Sequence, residues 1–228
     1  MLQPLSDSLW VHEQRIRFGG LPLWHRMSVI ALQNGSIALH SPTRLDAELK
    51  ASLRTLGSVV AVIFPSWWHD LYLRETVRAF PRAAVYVAPT LAKWNHSLSF
   101  ADVLTNVAPP TWKDEMEQHH VQGIGLFLDE VAFYHRPSRS LIIADLLFNL
   151  SPADAWITRA LSRVVIGPYP GCRFARSYRP LVFDRACFRS SIKTILEWDF
   201  DRIIVGHGAI LKAGGKAAFL DAFQWLLV

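Results

Sequence analysis

Three polar side chains in this sequence stand just beyond apolar runs that have the pattern of buried strands. His69 follows VVAVIF, Asp145 follows LIIA, and His207 follows RIIVG. Loops at strand ends are where α/β proteins place their sites, so these side chains are expected to converge at one edge of the fold. One carboxylate and two imidazoles are suitable ligands for an ion of the zinc or iron type.

Each of the three residues also has a purely structural interpretation. A single histidine is more often a hydrogen-bonded core or surface residue than a ligand, and an aspartate after a strand often caps a turn, as the LLFNLSP that follows Asp145 would allow. Without a metal, His69, Asp70 and Asp145 could perform general acid–base chemistry or simply hydrogen-bond one another. It is the conjunction of the three strand ends that favours a site.

The elements that must position these residues are visible as patterns along the first half of the chain. Short β-branched or alternating runs precede QNGS at 33–36, and Asn-Gly between apolar runs predicts a hairpin. Leucines at helical spacing predict an amphipathic helix that begins at Ser41 or Thr43 and ends at Gly57. A buried strand at 58–64, a helix at LRETVRAF and a strand at 83–89 then predict an α/β layer with a partly parallel sheet.

The second half of the chain predicts a β meander followed by helices. Two or three strands occupy 120–145, with a tight turn at 136–139. Amphipathic helices are predicted at 153–167, with Trp156 facing inward, at 185–199, and at the closing GKAAFLDAFQWLL. The order of elements predicts two mixed sheets with helices outside them, an α/β sandwich in four layers.

Composition predicts one large domain that spans 1–228. Hydrophobic residues make up 51% of the chain and charged residues 19%, which is enough apolar surface for a substantial core. No apolar run is long enough for a membrane span, and the first residues lack the pattern of a signal peptide, so a cytoplasmic location is expected.

Cys172 and Cys187 are expected to be reduced thiols. The formal charge of +5 is mildly basic, and the arginines of GCRFARSYRP are interpreted as a solvated loop more readily than as an anion site. Nucleic acid is therefore not an expected partner.

Several stretches carry a resemblance to a known family. The Asp in ADLLFN after a strand and the late VGHG resemble the metallo-β-lactamase-like superfamily. More narrowly, GSIALHSP, PSWWHDLYL, EVAFYHRPSRSLIIADLLFN and WDFDRIIVGHG resemble an uncharacterised branch, a domain of unknown function, over roughly 8 to 210. The resemblance implies an αββα four-layer sandwich, and it implies hydrolysis, or sometimes redox or nucleic-acid chemistry, at one or two metals.

The superfamily's metal-binding pattern is largely lost in this chain. When its T-H-x-H-x-D-H loop is laid on PSWWHDLY, Ser66 takes the place of the threonine and His69 that of one histidine. Asp145 matches the bridging aspartate, and His207 matches the final histidine. The remaining ligand positions carry Trp67, Leu71, Tyr72 and, further along, Leu126, while His119 and His120 lie upstream as possible substitutes.

The resemblance leaves two hypotheses about function. In the first, His69, Asp145 and His207 hold one zinc, iron or manganese ion, with Asp70 or His40 assisting, and the protein hydrolyses a small ester, thioester or phosphoester. His40 is included because it stands where the superfamily often has an aspartate close to the site. In the second, no metal binds, aromatic side chains fill the space of the lost ligands, and the cleft binds a small-molecule ligand or partner without catalysis.

Overall fold

The computed structural model describes residues 1–18, 20–95, 101–125, 128–150, 154, 156–167 and 171–228. Its strands lie in two sheets. The strands are β1 (Gln3–Ser6), β2 (Leu9–Phe18), β3 (Leu21–Ala31), β4 (Ser36–His40), β5 (Ser58–Phe64), β6 (Ala84–Val87), β7 (Asp102–Val103), β8 (Met116–Val121), β9 (Glu130–His135), β10 (Ser140–Ile142) and β11 (Arg202–Ile204). The helices are α1 (Ala47–Leu56), α2 (Leu73–Ala79), α3 (Pro89–Trp94), α4 (Trp156–Val165), α5 (Arg185–Glu197) and α6 (Gly215–Leu227).

The first sheet contains β1 to β7 in chain order. Its first four strands are antiparallel, and β4 to β7 are parallel because α1, α2 and α3 return the chain between them. The predicted hairpin at 33–36 joins β3 to β4, and Gly35 adopts φ 74° there, a left-handed conformation that glycine tolerates without strain. The predicted α/β layer is confirmed.

The second sheet has the order β11-β10-β9-β8. The meander β8–β9–β10 is antiparallel, and the late strand β11 adds in parallel to β10. This pairing brings the segments after β10 and β11, which carry Asp145 and His207, to the same end of the sheet. The strands predicted within 120–145 are thus present as β9 and β10, with their turn at 136–139.

Buried apolar side chains form three clusters that define four layers. The inner cluster packs the two sheets face to face, with Ile63 and Ile30 of the first sheet against Phe133 and Ile204 of the second. A second cluster lies between the first sheet and α1 to α3, and a third lies between the second sheet and α5 and α6. The predicted αββα sandwich is confirmed. Within the described part of the chain, no helix is both long and apolar enough to span a membrane.

Helix α1 begins later than its sequence pattern predicts. The cap is Asp46, whose carboxylate accepts a hydrogen bond from the Leu49 N–H at 2.7 Å, so the prediction of Ser41 or Thr43 was wrong. Asp is as good a cap as Ser, and Ser41 and Thr43 are buried instead, where they hydrogen-bond to His69 and His12. Gly57 ends the helix as predicted, donating to Leu53.

Helix α4 exposes a residue that its periodicity places inside. Trp156 is 73% exposed, so the prediction of an inward face through Trp156 was wrong. The helix contacts β3, and the buried Thr158 donates its hydroxyl to the Pro22 carbonyl at 2.8 Å. An amphipathic pattern identifies the apolar face of a helix, but it does not show whether a residue at the end of the helix, such as Trp156, reaches the core.

The buried His135 of the second sheet should make the free energy of unfolding depend on pH. Burial, followed by the charge of Arg202, lowers the pKa of His135 from 6.5 to about 4. The unfolded chain therefore binds one more proton than the folded chain between pH 6.5 and 4, and the free energy of unfolding should fall by about 1.4 kcal/mol per pH unit as the pH decreases through that window. In urea titrations, His135→Gln should show a shallower decline than the wild type, because glutamine does not titrate. Parallel stability curves for the two proteins would contradict the assignment.

Candidate metal centre

The three predicted ligands meet in the structure. Asp145 lies between the two imidazoles, with its Oδ2 3.4 Å from His69 Nε2 and its Oδ1 3.2 Å from His207 Nε2. The three ligand atoms lie within 4.8 Å of one another, and all three residues are buried. Such a spacing is close enough for one ion to contact all three after a small contraction.

His69 is placed by the segment that follows β5. Ser66 bridges to Glu130 at the start of β9, and a single 3₁₀ turn, Trp67–His69, then carries the imidazole inward. The His69 Nδ1 lies 2.5 Å from the Ser41 hydroxyl, on the loop that follows β4. The orientation of His69 therefore depends on both parallel neighbours, β4 and β5.

His207 is placed by the loop that follows β11. Its Nδ1–H donates to the Trp24 carbonyl at 2.5 Å, since a carbonyl can only accept. The guanidinium of Arg26 donates to the carbonyls of Val205 and Gly208, and it pairs with Glu13. Strand β3 of the first sheet thus holds the His207 loop of the second sheet at two points.

Asp145 is placed by hydrogen bonds on both its backbone and its side chain. Ser66 donates its hydroxyl to Asp145 Oδ2 at 3.1 Å. The buried carboxylate of Glu130 accepts the Ala144 N–H at 2.8 Å and the Asp145 N–H at 2.6 Å. Burial, followed by the charge of Asp145, raises the pKa of Glu130 to about 8.

The electrostatics of the site favour a positive charge between these groups. Burial alone would raise the pKa of Asp145, but the two histidines outweigh it and hold that pKa below its usual value. Burial would likewise lower the pKa of His207, but its hydrogen bond to Asp145 and the charge of that carboxylate raise it. The carboxylate therefore stabilises a cation at this position, which a proton or a metal ion can supply.

The donor set fits a metal ion. Because His207 Nδ1 carries the proton, the neutral ring turns a lone pair toward Asp145. His69 Nε2 is fully buried and has no hydrogen-bond partner among the described residues. Metal-binding histidines usually donate their other ring N–H to a protein oxygen, which is the arrangement of His207. An orphaned nitrogen and a lone pair that face one carboxylate are groups that a cation would satisfy.

A cavity of about 320 Å³ opens onto this centre. Asp145, His207 and His25 border it, and Phe148 stacks on the His207 ring at 6.0 Å between ring centres. The rest of the described lining is apolar or aromatic: Ile16, Leu23, Trp68, Leu71, Leu128, Phe148, Tyr178 and Leu181. The three polar groups therefore lie in a mostly apolar pocket.

The other two predicted site residues, His40 and Asp70, lie outside the described lining of the cavity. His40 is buried with its ring edge against Phe133, 5.2 Å between centres, and it is not among the described residues that line the cavity. Asp70 borders a separate surface depression of about 910 Å³ with Lys50, Arg74 and Arg78. The structure brings neither residue into the lining of the cavity, so their assisting roles stay predictions.

The aromatic residues that replace the lost ligands leave the cavity open. Trp67 packs toward the helices beside the first sheet, and Tyr72 bonds through its hydroxyl to Gln14 at 3.0 Å. Trp68 lines the cavity and is 42% exposed. Trp67 and Tyr72 are not among the described residues that line the cavity, and the filling of the former metal space by these three aromatic residues stays a prediction.

His120, Arg173 and Arg179 have other partners in the structure. His120 pairs with Asp129 at 2.5 Å beside a different groove, and Leu126 lies outside the described residues. Arg173 pairs with Asp221 at 2.5 Å, and Arg179 lies over the Trp225 ring at 4.7 Å. These two arginines are occupied by neighbours within the chain.

Sequence reasoning missed His25. Its ring centre lies 4.9 Å from that of His69 and 6.1 Å from that of His207. The sequence did contain a signal. Residues two apart on a strand share a face, and His25 therefore lies on the same face of β3 as the buried Met27 and Val29. No run of apolar residues ends at His25, so a search for polar residues after strands passes over it.

Comparison with known proteins agrees with this architecture. No curated protein matches the chain. A metallo-β-lactamase from Pontibacter korlensis superposes with a TM-score of 0.64 at 15% identity, covering 98% of each chain. A metallo-β-lactamase from Erythrobacter litoralis gives 0.62 at 12% identity, covering 98% of this chain and 92% of that one. The metal-soaked Flv1 flavodiiron core from Synechocystis sp. PCC6803 gives 0.65 at 12% identity, covering 99% of this chain and 60% of that chain.

At these identities the solved structures establish the fold alone. The family is established separately, because residues 6–165 match the domain of unknown function DUF4336. That match covers more than half of the chain, and it includes two of the three converging residues, His69 and Asp145. The chain therefore belongs to the DUF4336 family, and its fold is that of the metallo-β-lactamases.

Proposed function

We propose that this protein is a hydrolase that works at a single metal ion held by His69, Asp145 and His207. The observation that carries the proposal is the meeting of two imidazole Nε2 atoms on one buried carboxylate, where Asp145 and His207 border a cavity. Three protein ligands are the number that a catalytic zinc site usually provides, with a further position left for water or substrate. Zinc, iron and manganese are the candidate ions.

Each residue of the proposed centre has a defined task. His69, Asp145 and His207 would hold the ion, and Asp145 would neutralise much of its charge. The Ser41 hydroxyl, the Trp24 carbonyl and the Ser66 hydroxyl orient these three side chains. When bound, the ion supplies Lewis acidity, which activates water and polarises a carbonyl group. Phe148 and Leu128 form part of the apolar lining beside Asp145 and His207.

The lining favours an uncharged acyl substrate. Among the described residues that line the cavity, none is a lysine or an arginine. Phosphoryl groups are usually held by arginine, lysine or several metal ions, which spread the charge of the transferring group. The apolar walls suit a hydrocarbon chain instead, so a neutral ester or thioester is favoured over a phosphoester.

Hydrolysis assays with metal-loaded protein test this proposal. We expect cleavage of a short acyl ester such as p-nitrophenyl butyrate to exceed cleavage of p-nitrophenyl phosphate, and His207→Gln should lower ester cleavage roughly 100-fold or more because a ligand is lost. His12→Gln is the matched control, since His12 also hydrogen-bonds in this region, to Thr43 at 2.7 Å, but does not line the cavity. Equal activity of His207→Gln and wild type would contradict the proposal.

A binding protein without catalysis is the second candidate. The apolar cavity with Trp68 on its wall supports it. If no ester is cleaved while a neutral ester still quenches tryptophan fluorescence in the wild type but not in Trp68→Phe, the cleft is a ligand-binding site.

A further inference from the structure

We infer that His25 is a fourth protein ligand of the metal centre, which completes a set of three imidazoles and one carboxylate. The inference rests on the proposed function, because it concerns the same ion. The resemblance to the superfamily assigned no role to this residue, which comes from the antiparallel strand β3.

The ring positions are the first argument. An imidazole nitrogen binds an ion such as zinc at about 2.0–2.1 Å, which places the centres of neighbouring rings around one ion about 5 Å apart. The centres of His69 and His207 are 5.2 Å apart, and those of His25 and His69 are 4.9 Å apart. The third separation, from His25 to His207, is longer at 6.1 Å. His25 is therefore as near to His69 as the ligand His207 is.

The hydrogen bonds of the three rings are the second argument. His25 Nε2 lies 3.1 Å from the Pro42 carbonyl, and since a carbonyl only accepts, that nitrogen carries the proton. His207 donates to the Trp24 carbonyl in the same way. A ring whose N–H is bound to a protein carbonyl presents its other nitrogen as a lone pair, the arrangement of metal-binding histidines. In His25 that nitrogen is Nδ1, for which the described residues provide no hydrogen-bond partner.

The surroundings of His25 are the third argument. The residue is 2% exposed and yet borders the cavity with Asp145 and His207. The ligand atoms of the other three residues lie within 4.8 Å of one another, and His25 is not part of that group. Its side chain would have to turn for Nδ1 to join them.

A fourth protein ligand has a consequence for the identity of the ion. Four protein ligands complete the shell of a four-coordinate ion, and a hydrolase needs an open position. An ion that accepts five or six ligands keeps such a position, so iron(II) or manganese(II) suits this set better than tetrahedral zinc.

Cobalt(II) titration of the metal-free protein tests the inference, using the full chain. Cobalt(II) has visible absorption bands whose shape and intensity follow the number and type of its ligands. We expect the wild type to bind cobalt with the weak bands of five or six coordination. His25→Gln should bind it about 10- to 100-fold more weakly and with altered bands, because the amide can still donate to Pro42 but offers no imidazole nitrogen.

A second variant separates a ligand from a structural residue. In His25→Glu the glutamate side chain has the same shape as glutamine but carries a carboxylate. If position 25 contacts the ion, His25→Glu should therefore bind cobalt more tightly than His25→Gln. A structural role predicts no recovery, because a buried unpaired carboxylate only costs stability. His12→Gln, on the same face of the neighbouring strand, should bind cobalt as the wild type does.

The outcomes distinguish the two proposals. Absence of cobalt binding by the wild type would contradict the metal centre as a whole. Wild-type affinity and bands in His25→Gln, with binding lost in His207→Gln, would overturn the role of His25 and leave the proposed function standing. Thermal unfolding of each variant in chelator shows whether a loss of binding reflects a loss of folding. If His25→Gln does not fold, the cobalt absorption bands of His25→Glu decide whether His25 is a ligand. These bands should differ from those of the wild type only when the side chain at position 25 binds the ion.

Discussion

Asp145→Asn is expected to abolish stoichiometric metal binding while leaving the fold intact. The substitution keeps the size of the side chain but removes the negative charge that faces both imidazoles. A buried cation without a compensating carboxylate is strongly disfavoured, so metal affinity should fall by roughly 100-fold or more. Elemental analysis of the purified protein and calorimetric titration with zinc, iron(II) and manganese(II) measure this directly.

Asp129→Asn is the matched control for this prediction. Asp129 is as buried as the side chain of Asp145 and also contacts a histidine, His120, at 2.5 Å. It lies beside a different groove, so its loss should leave metal content unchanged. Equal metal content in Asp145→Asn and wild type would show that the ion, if bound, is held elsewhere.

Gly206→Ala is expected to disrupt the centre through packing rather than through loss of a ligand. A Cβ atom at Gly206 would lie 2.6 Å from His69 Cε1 and 2.7 Å from the Ala144 carbonyl oxygen. Neither neighbour is the free end of a flexible side chain, so the His69 ring or the segment before Asp145 must move. Overpacking of this kind typically costs 1–3 kcal/mol, and here the displacement should also weaken metal binding.

Urea unfolding and metal titration together measure the effect of Gly206→Ala. Gly125→Ala is a suitable control, because its added Cβ would meet nothing closer than 3.4 Å. Wild-type stability and wild-type metal affinity in Gly206→Ala would mean that the close contact of the two loops does not position His69. A loss of metal affinity larger than the loss of stability would locate the damage at the centre itself.

The proposed centre differs from the ligand pattern that the superfamily resemblance implies. Ser66 stands at the threonine of that pattern, and the structure gives it a role, since it donates to Asp145 at 3.1 Å. Trp68 borders the cavity instead of filling it. Trp67, Leu71 and Tyr72 stand where that pattern has ligands, and His25 is a further histidine beside His69.

Most elements of the fold were predictable because their signals are local. Alternation in β3, the Asn-Gly turn before β4 and the apolar faces of α5 and α6 are all contained in short windows of sequence. The errors concern points that a short window of sequence leaves undecided. Several residues before α1 could cap a helix, and only the path of the chain selects Asp46; the exposed Trp156 of α4 shows that periodicity does not specify how far a helix reaches into the core.

The sequence by itself determined which polar residues end the strands, and so it identified His69, Asp145 and His207 as candidates. Only the tertiary structure decided that they meet, that His40 and Asp70 lie outside the cavity lining, and that His25 stands beside them. The physical reason is that the contacts which orient the site join distant parts of the chain: His207 bonds to Trp24 across 183 positions, and Ser66 bonds to Asp145 across 79. Such contacts follow from how the two sheets pack, and the residues next to a position in the sequence do not indicate that packing.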